Sequence, residues 1–406
     1  MAIPKVLAIV LAGGEGSRLH PLTAERSKPA VPFGGGYRII DFVLGNLINS
    51  QLLSIYVLVQ YKSQSLIEHL DVNWQLSPVL LEHFIVEVPP QRESGDAWFQ
   101  GTANAVYQNR RLICQHQPDL VAIVSADHVY RMDYRQMLSY HLDMRADVTL
   151  AVNRVPLSWA SDLGVVDVNE QGRVQAFQEK PAHPPQMPGS ADRTLASMGI
   201  YLFSTEILME VLEQVEERNL HDFGHDVLPF LLDSHHRLFA YDFTENHIPG
   251  IKPHEIPAYW RDVGTIDAYW QAHQDILGPQ PPFDLFNDQW PLRVGRNAGP
   301  PAKLLGQQVE NCMIGSGTFS KAKVLRNSII GRGVLLEEGV EVEDCIITDH
   351  VRIGRNARLR RTIVDRYNHI PANTVIGEDS ESDRQRFHLD PSGLVIVPRG
   401  QKVDPI

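Results

Sequence analysis

The sequence predicts an α/β chain in two parts: an N-terminal domain on a mostly parallel, mixed sheet, then a C-terminal left-handed parallel β-helix. Three observations carry this expectation. Short apolar, β-branched runs alternate with helix-like segments over residues 1–277. A Gly- and Pro-rich stretch, 278–302, breaks that alternation. Over 303–406 an apolar residue returns about every six positions, often just before Gly.

Taken in order, Val6–Leu11, Ile55–Gln60 and Leu120–Ser125 are continuous apolar runs, as expected of strands covered on both faces. Ser65–Leu70 and Tyr134–Met144 read as helices. Gly164–Asn169 and Arg173–Gln178 flank Glu170-Gln171-Gly172 and predict a hairpin laid on the sheet. Ala196–Phe203 is a further strand. Thr205–Glu217 is a helix opened by a Thr or Ser cap, and Thr265–Leu277 is another helix. In the tail, Ile314-Gly315, Ile330-Gly331, Ile353-Gly354 and Ile376-Gly377 mark the repeat. Each triangular coil is expected to turn where Gly is tolerated, with one inward apolar residue per side.

Composition excludes several classes. The 406 residues carry 37 basic and 49 acidic side chains, a net charge of −12, which argues against a general nucleic-acid binder. Cys114, Cys312 and Cys345 are too scattered for a disulfide framework or a CxxC zinc site, and free thiols suit a reducing cytoplasm. No run reaches the ~18 apolar residues of a membrane helix. Lys5 and Val6–Ala12 resemble a short signal peptide, but the run ends in Gly13-Gly14-Glu15-Gly16-Ser17-Arg18, so a buried first strand is expected.

That same loop is where chemistry is expected. Glycines after a strand let backbone N–H groups approach a phosphate, Arg18 adds a charged fork, and Lys28-Pro29 supplies a second cation. The loop is neither G-x-G-x-x-G nor Walker A. Asp127 ends an apolar strand, where open α/β sheets bind ligands and where a carboxylate can hold Mg²⁺. A helix N-cap is its bland alternative. Asp262 is a candidate second carboxylate, and spacing alone leaves open whether the two meet. Glu179 and Lys180 could grip a sugar phosphate or form a surface ion pair. His221 and His225 have zinc-like spacing but lack an evident third ligand.

Longer strings carry a resemblance. Leu11–Leu19 with Lys28-Pro29 resembles the nucleotide loop of sugar nucleotidyltransferases. Pro29–Gly35, Arg38–Phe42, Trp98–Ala103, Ala126–Tyr130, Ser197–Tyr201, His221–Gly224 and Tyr259–Thr265 resemble the glucose-1-phosphate adenylyltransferase family, over about Lys5 to Val397. The resemblance implies a Rossmann-like nucleotidyltransferase domain and the reaction of ATP with glucose 1-phosphate to give ADP-glucose and pyrophosphate for glycogen or α-glucan synthesis. It implies that Leu11, Ala12, Gly13, Gly14, Gln60 and Gly101 bind ATP, with Gln60 reading the base. Arg18, Lys28 and Asp127 are the implied catalytic groups, and Asp127 and Asp262 the implied Mg²⁺ ligands. Phe99, Gly164, Glu179, Lys180 and Ser197 are the implied glucose-1-phosphate contacts. A cytoplasmic homotetramer regulated by phosphorylated allosteric effectors is expected on the same grounds.

Two positions depart from the pattern. Phe99 stands where several relatives have Tyr, which removes a hydroxyl. Glu25 precedes Arg26 where enterobacterial relatives place a Lys tied to fructose 1,6-bisphosphate activation, and a carboxylate repels a bisphosphate. Arg352, Arg355, Arg358, Arg360, Arg361 and Arg366 nevertheless suggest an anionic effector site between the β-helix and the first domain. Competing readings are a nucleotidyltransferase for another NTP or hexose phosphate, a silent regulatory subunit, and a hexapeptide-repeat acyltransferase. Arg18, Lys28, Asp127 and Asp262 argue against silence. His350 and His369 are too isolated to suggest an acyl-transfer base.

Overall fold

The computed structural model describes residues 4–76, 82–90, 98–293, 299–305 and 308–403. A nine-stranded sheet is formed by Val6–Ala12 (β1), Ser54–Val59 (β2), Phe84–Val88 (β3), Leu120–Ser125 (β4), Val148–Pro156 (β5), Gly164–Val168 (β6), Val174–Glu179 (β7), Arg193–Ser204 (β8) and Leu238–Asp242 (β9). Its order is β7-β6-β8-β4-β1-β2-β3, with β5 paired to β8 and β9. β1 is parallel to β2 and β4, whereas β8 runs antiparallel to β4, β5 and β6. Along β1, Leu7 and Ile9 enter one core while Ala8, Val10 and Ala12 enter the other. Burial on both faces is why the run shows no polar alternation.

The Glu170-Gln171-Gly172 hairpin forms as expected, but β6 and β7 extend the sheet's edge and do not lie on its face. The helix after β8 spans Thr205–Arg218 with Ser204 at its cap position, yet neither hydroxyl caps it. Ser204 Oγ donates to the Ala146 carbonyl at 3.3 Å instead, and Thr205 Oγ1 is buried without a partner. The last helix of the domain, Ile266–Gln274, is capped by Thr265, whose Oγ1 accepts from Ala268 N at 3.2 Å.

Beyond residue 302 short strands stack in three parallel ladders. In one ladder Ile314, Ile330, Ile347 and Val364 lie in register. This is a parallel β-helix. The Ile-Gly pairs do not mark one equivalent corner, because Ile314 and Ile330 share a ladder while Ile353 and Ile376 lie on the other two. Their glycines are needed for close coil-to-coil approach. A Cβ on Gly315, Gly331 or Gly354 would sit 2.6 Å from the next coil's backbone. Non-glycine residues also take left-handed corners, among them Asn327, Asp344 and Arg361, at φ of 46°, 53° and 44°.

Apolar doublets join the two parts. Ile330, Ile347 and Val364 fill the β-helix interior, while their neighbours Ile329, Ile346 and Ile363 point outward into a core shared with Phe33, Phe42 and Tyr269 of the first domain. Full burial of each such isoleucine is worth about 1.5–3 kcal/mol. The connector expected at 278–302 contributes too. Phe283, Leu285 and Leu292 enter that shared core, and Trp290 Nε1 donates to Asn46 Oδ1 at 3.1 Å.

Candidate active site

The carboxyl ends of β1, β2 and β4 lie side by side, with Ala12 opposite Val59 and Leu11 opposite Ser125. They open into a cavity of about 570 Å³. Its floor is the loop after β1. Gly16 adopts φ 66°, and a Cβ there would stand 2.8 Å from Lys28 Cβ, so a side chain would displace that lysine. A short turn, Ser17–Leu19, follows, anchored by buried Leu19, and leaves Arg18 facing the cavity.

Asp127 lies two residues past β4. Asp262 arrives on a two-stranded ribbon in which Trp260–Asp262 pairs antiparallel with His128–Tyr130, setting Asp262 opposite His128. This ribbon brings together the two carboxylates that sequence spacing left apart. The Lys28 ammonium bridges them, donating to Asp127 Oδ2 at 3.0 Å and to Asp262 Oδ1 at 2.8 Å. Arg18 Nη2 stands 3.8 Å from Asp262 Oδ2. Asp127 is not a helix cap: its Oδ1 accepts from Ser125 Oγ at 2.5 Å.

Electrostatics keep Asp127 and Lys28 ionised. Burial opposes charge on Asp127, but His128, Lys28 and the Ser125 hydrogen bond together hold its carboxyl far below the usual range. Burial would lower the Lys28 ammonium, and the two carboxylates more than reverse this. Asp127, His128 and Asp262 each offer a donor atom, all within 4.8 Å of one another, the one such metal-competent group among the described residues. His128 Nδ1 is buried without a hydrogen-bond partner. Two carboxylates and an orphaned imidazole nitrogen fit a divalent cation. His221 and His225 belong to no such group; His225 Nδ1 pairs with Asp226 at 2.5 Å.

The other expected residues divide. Leu11, Gly13, Gly14, Gln60, Phe99 and Gly101 line the cavity, whereas Ala12 is buried beneath it. Gln60 spends its amide on the backbone of Phe99, accepting from its N at 2.8 Å and donating to its O at 3.4 Å, so it holds the far wall. A Cβ on Gly101 would lie 2.3 Å from the His221 carbonyl, which accepts from Ala103 N. Gly164, Glu179, Lys180 and Ser197 do not line the cavity but gather beside it. Gly164 faces Glu179 in the hairpin, and Lys180 Nζ stands 3.3 Å from Glu179, half-exposed. Tyr201 links this patch to the cavity: burial raises its phenol, Ser197 hydrogen-bonds it, and Asp222 and Glu179 add their charge.

Asp222 was missed in the sequence. It lines the cavity, accepts from Thr102 Oγ1 at 2.9 Å and caps the turn at Phe223 through Gly224 N and His225 N. An Asp two residues before Gly, opening a helical turn, is a cap signal that could have found it. Ser125, Thr102 and Gly264 also line the site and carried no separate signal.

Residues 7–278 match the family model described as nucleotidyl transferase, and residues 300–397 match one described as GlmU-like, C-terminal hexapeptide. Over 98% of this chain and 97% of the relative, the sequence is 50% identical to a glucose-1-phosphate adenylyltransferase of Thermodesulfovibrio yellowstonii. The chain belongs to the glucose-1-phosphate adenylyltransferase family. Proteins of the same name from Deinococcus radiodurans and Thermus thermophilus are each 46% identical over 98% of this chain and 99% of the relative. Membership in this family makes the chain a nucleotidyltransferase, consistent with a cavity built from strand ends, a glycine loop and paired carboxylates. No helix among the described residues is long and apolar enough to cross a membrane.

Proposed function

We propose that the cavity joins ATP to glucose 1-phosphate, releasing pyrophosphate and forming ADP-glucose for glycogen or another α-glucan in the cytoplasm. The observation that carries this reading is the Asp127–Lys28–Asp262 bridge beside the glycine loop. An anionic sugar-phosphate oxygen needs no general base to attack the α-phosphorus in line. The obstacle is repulsion between two anions, which positioned cations relieve. Leu11, Gly13, Gly14 and Gly101 form the nucleotide side over the buried Ala12, with Gln60 fixing the loop that covers the base. Arg18 and Lys28 face the triphosphate. Phe99, Gly164, Glu179, Lys180 and Ser197 form the sugar-phosphate side, with Lys180 on the phosphate. Asp127 and Asp262 would hold Mg²⁺, which supplies charge neutralisation and polarises a phosphoryl oxygen. Pyrophosphate release measured with ATP, UTP, dTTP and GTP, each with glucose 1-phosphate, tests the assignment; equal rates with all four would defeat the ATP reading.

A second cavity, about 560 Å³, lies between the first domain and the β-helix, lined in part by Arg38, His69, Arg332, His350, Arg366 and Tyr367. Arg38, Arg332 and Arg366 converge on it; burial first, then Arg366 and Arg26, bring the Arg38 guanidinium down to about 10 against the pull of Asp41 and Asp349. These cations support an anionic, phosphorylated effector there; the homotetramer is proposed on family membership alone. Of the arginines expected to build that site only Arg366 lines it. Arg352 pairs with Glu337 at 2.6 Å, Arg358 with Glu378 at 3.4 Å and Arg360 with Glu343 at 3.3 Å on solvent-facing ladders. Arg361 lies over the Trp270 ring at 5.1 Å. Kinetics unchanged by phosphate, AMP and sugar bisphosphates would remove the effector.

A further inference from the structure

The strand that ends beside Asp127, Leu120–Ser125, is apolar until its last residue. Side chains alternate along a strand, so Ser125 shares the face of Val121 and Ile123, which pack in the core on that side of the sheet. A hydroxyl adds nothing to that core. It lines the cavity instead and donates to Asp127 Oδ1 at 2.5 Å. Lys28 holds the other oxygen, Oδ2, at 3.0 Å. Together the two donors fix the plane of the carboxylate, but they are not equivalent. Lys28 is a cation on a flexible stem and is shared with Asp262. Ser125 stands on the sheet and has a single proton to donate.

The neighbouring backbone makes room for this serine. β8 pairs with β4 as far as Ile200 opposite Val124, and the next residue, Gly199, leaves the strand at φ 66°. The pairing of β8 with β5 shifts register at the same place, between Ser197 and Tyr201. Bulges of this kind re-aim side chains beside active sites. A Cβ on Gly199 would stand 3.2 Å from Ser125 Cβ, close enough to press the serine out of place.

Resting on the metal reading above, we propose that Ser125 is a positioning residue for Asp127: its hydroxyl holds the carboxylate in the orientation that receives the cation. Loss of a hydrogen bond that orients a metal ligand typically costs roughly 10–100-fold in metal affinity or activity.

The test combines calorimetry and kinetics on the full chain. Titration with α,β-methylene-ATP, in Mg²⁺ and in EDTA, gives the gain in nucleotide affinity that Mg²⁺ confers on wild type, Ser125→Ala, Ser125→Thr and Asp127→Asn. Circular dichroism checks that each is folded. Ser125→Ala should lose roughly tenfold of that gain and roughly tenfold in kcat, with KM for glucose 1-phosphate within about twofold. Ser125→Thr keeps the hydroxyl and should stay within about threefold of wild type in both. If Ser125→Ala keeps both while Asp127→Asn loses them, the metal reading stands and Ser125 is only cavity wall. If Ser125→Thr fails as Ser125→Ala does, the hydroxyl is not the group that acts, and the proposal falls. A gain undiminished in Asp127→Asn removes the metal reading and this role with it. Should Ser125→Ala misfold, Ser125→Cys, a far weaker donor of similar size, carries the same comparison.

Discussion

Arg26 and Asp365, 339 residues apart, form a bidentate ion pair at 2.9 and 2.8 Å with both side chains almost fully buried. The pair ties the segment before the Lys28 turn to the β-helix. Arg26 is therefore committed to domain docking, while neighbouring Glu25 stays exposed. Removing one partner strands a charge in the interface. Asp365→Ala should lower unfolding free energy by about 3–5 kcal/mol, and Arg26→Met with Asp365→Leu should recover most of that loss. Chemical denaturation of the two variants provides the comparison; equal losses in both would mean that the stranded charge is not the cause.

Asp127→Asn should keep the fold and lower kcat by orders of magnitude, since it removes one of the two anions that Lys28 bridges. Pyrophosphate release at saturating substrates reads this directly. Near-normal turnover would remove Asp127 from the metal role.

Lys180→Ala should raise KM chiefly for glucose 1-phosphate, with a smaller change for ATP. Lys180 is half-exposed beside Glu179 and outside the main cavity, so its loss removes a ground-state contact. An unchanged sugar-phosphate KM would refute that placement.

His273 should make stability depend on acid. Its ring donates from Nδ1 to the Tyr269 carbonyl at 2.8 Å and accepts at Nε2 from Gly34 N at 3.2 Å, a pattern only the neutral ring can make. Burial lowers its pKa from 6.5 to about 4. The unfolded chain therefore binds the extra proton first, and stability falls as pH drops from 6.5 toward 4, by on the order of 3 kcal/mol from this group. Unfolding at pH 7 and pH 4.5 should show a smaller drop for His273→Gln than for wild type.

Gly377→Ala should destabilise the β-helix by about 1–3 kcal/mol. Gly377 has φ 85°, and a Cβ there would overlap the Arg360 carbonyl at 1.8 Å. Thermal unfolding measures it; an unchanged midpoint would mean that the coil yields.

Much of this protein was legible in one dimension because local chemistry decides it. Val6–Ala12, Ser54–Val59 and Leu120–Ser125 form strands where apolar, β-branched runs predict them. The loop from Gly13 to Arg18 follows the first strand because strand ends in parallel sheets meet at one edge. The β-helix repeat was likewise visible, since each coil reuses the same inward-facing positions. The tertiary structure alone decided which distant residues meet. Asp262 reaches Asp127 through a ribbon, Arg26 finds Asp365, and Glu337, Glu343 and Glu378 absorb arginines that a linear reading sends to an effector. Ile346 and Ile347 look alike in the chain, yet one faces the neighbouring domain and the other its own coil. A side chain's partners depend on how the backbone returns, through loops whose closure cost rises only slowly with length, so no local pattern encodes them.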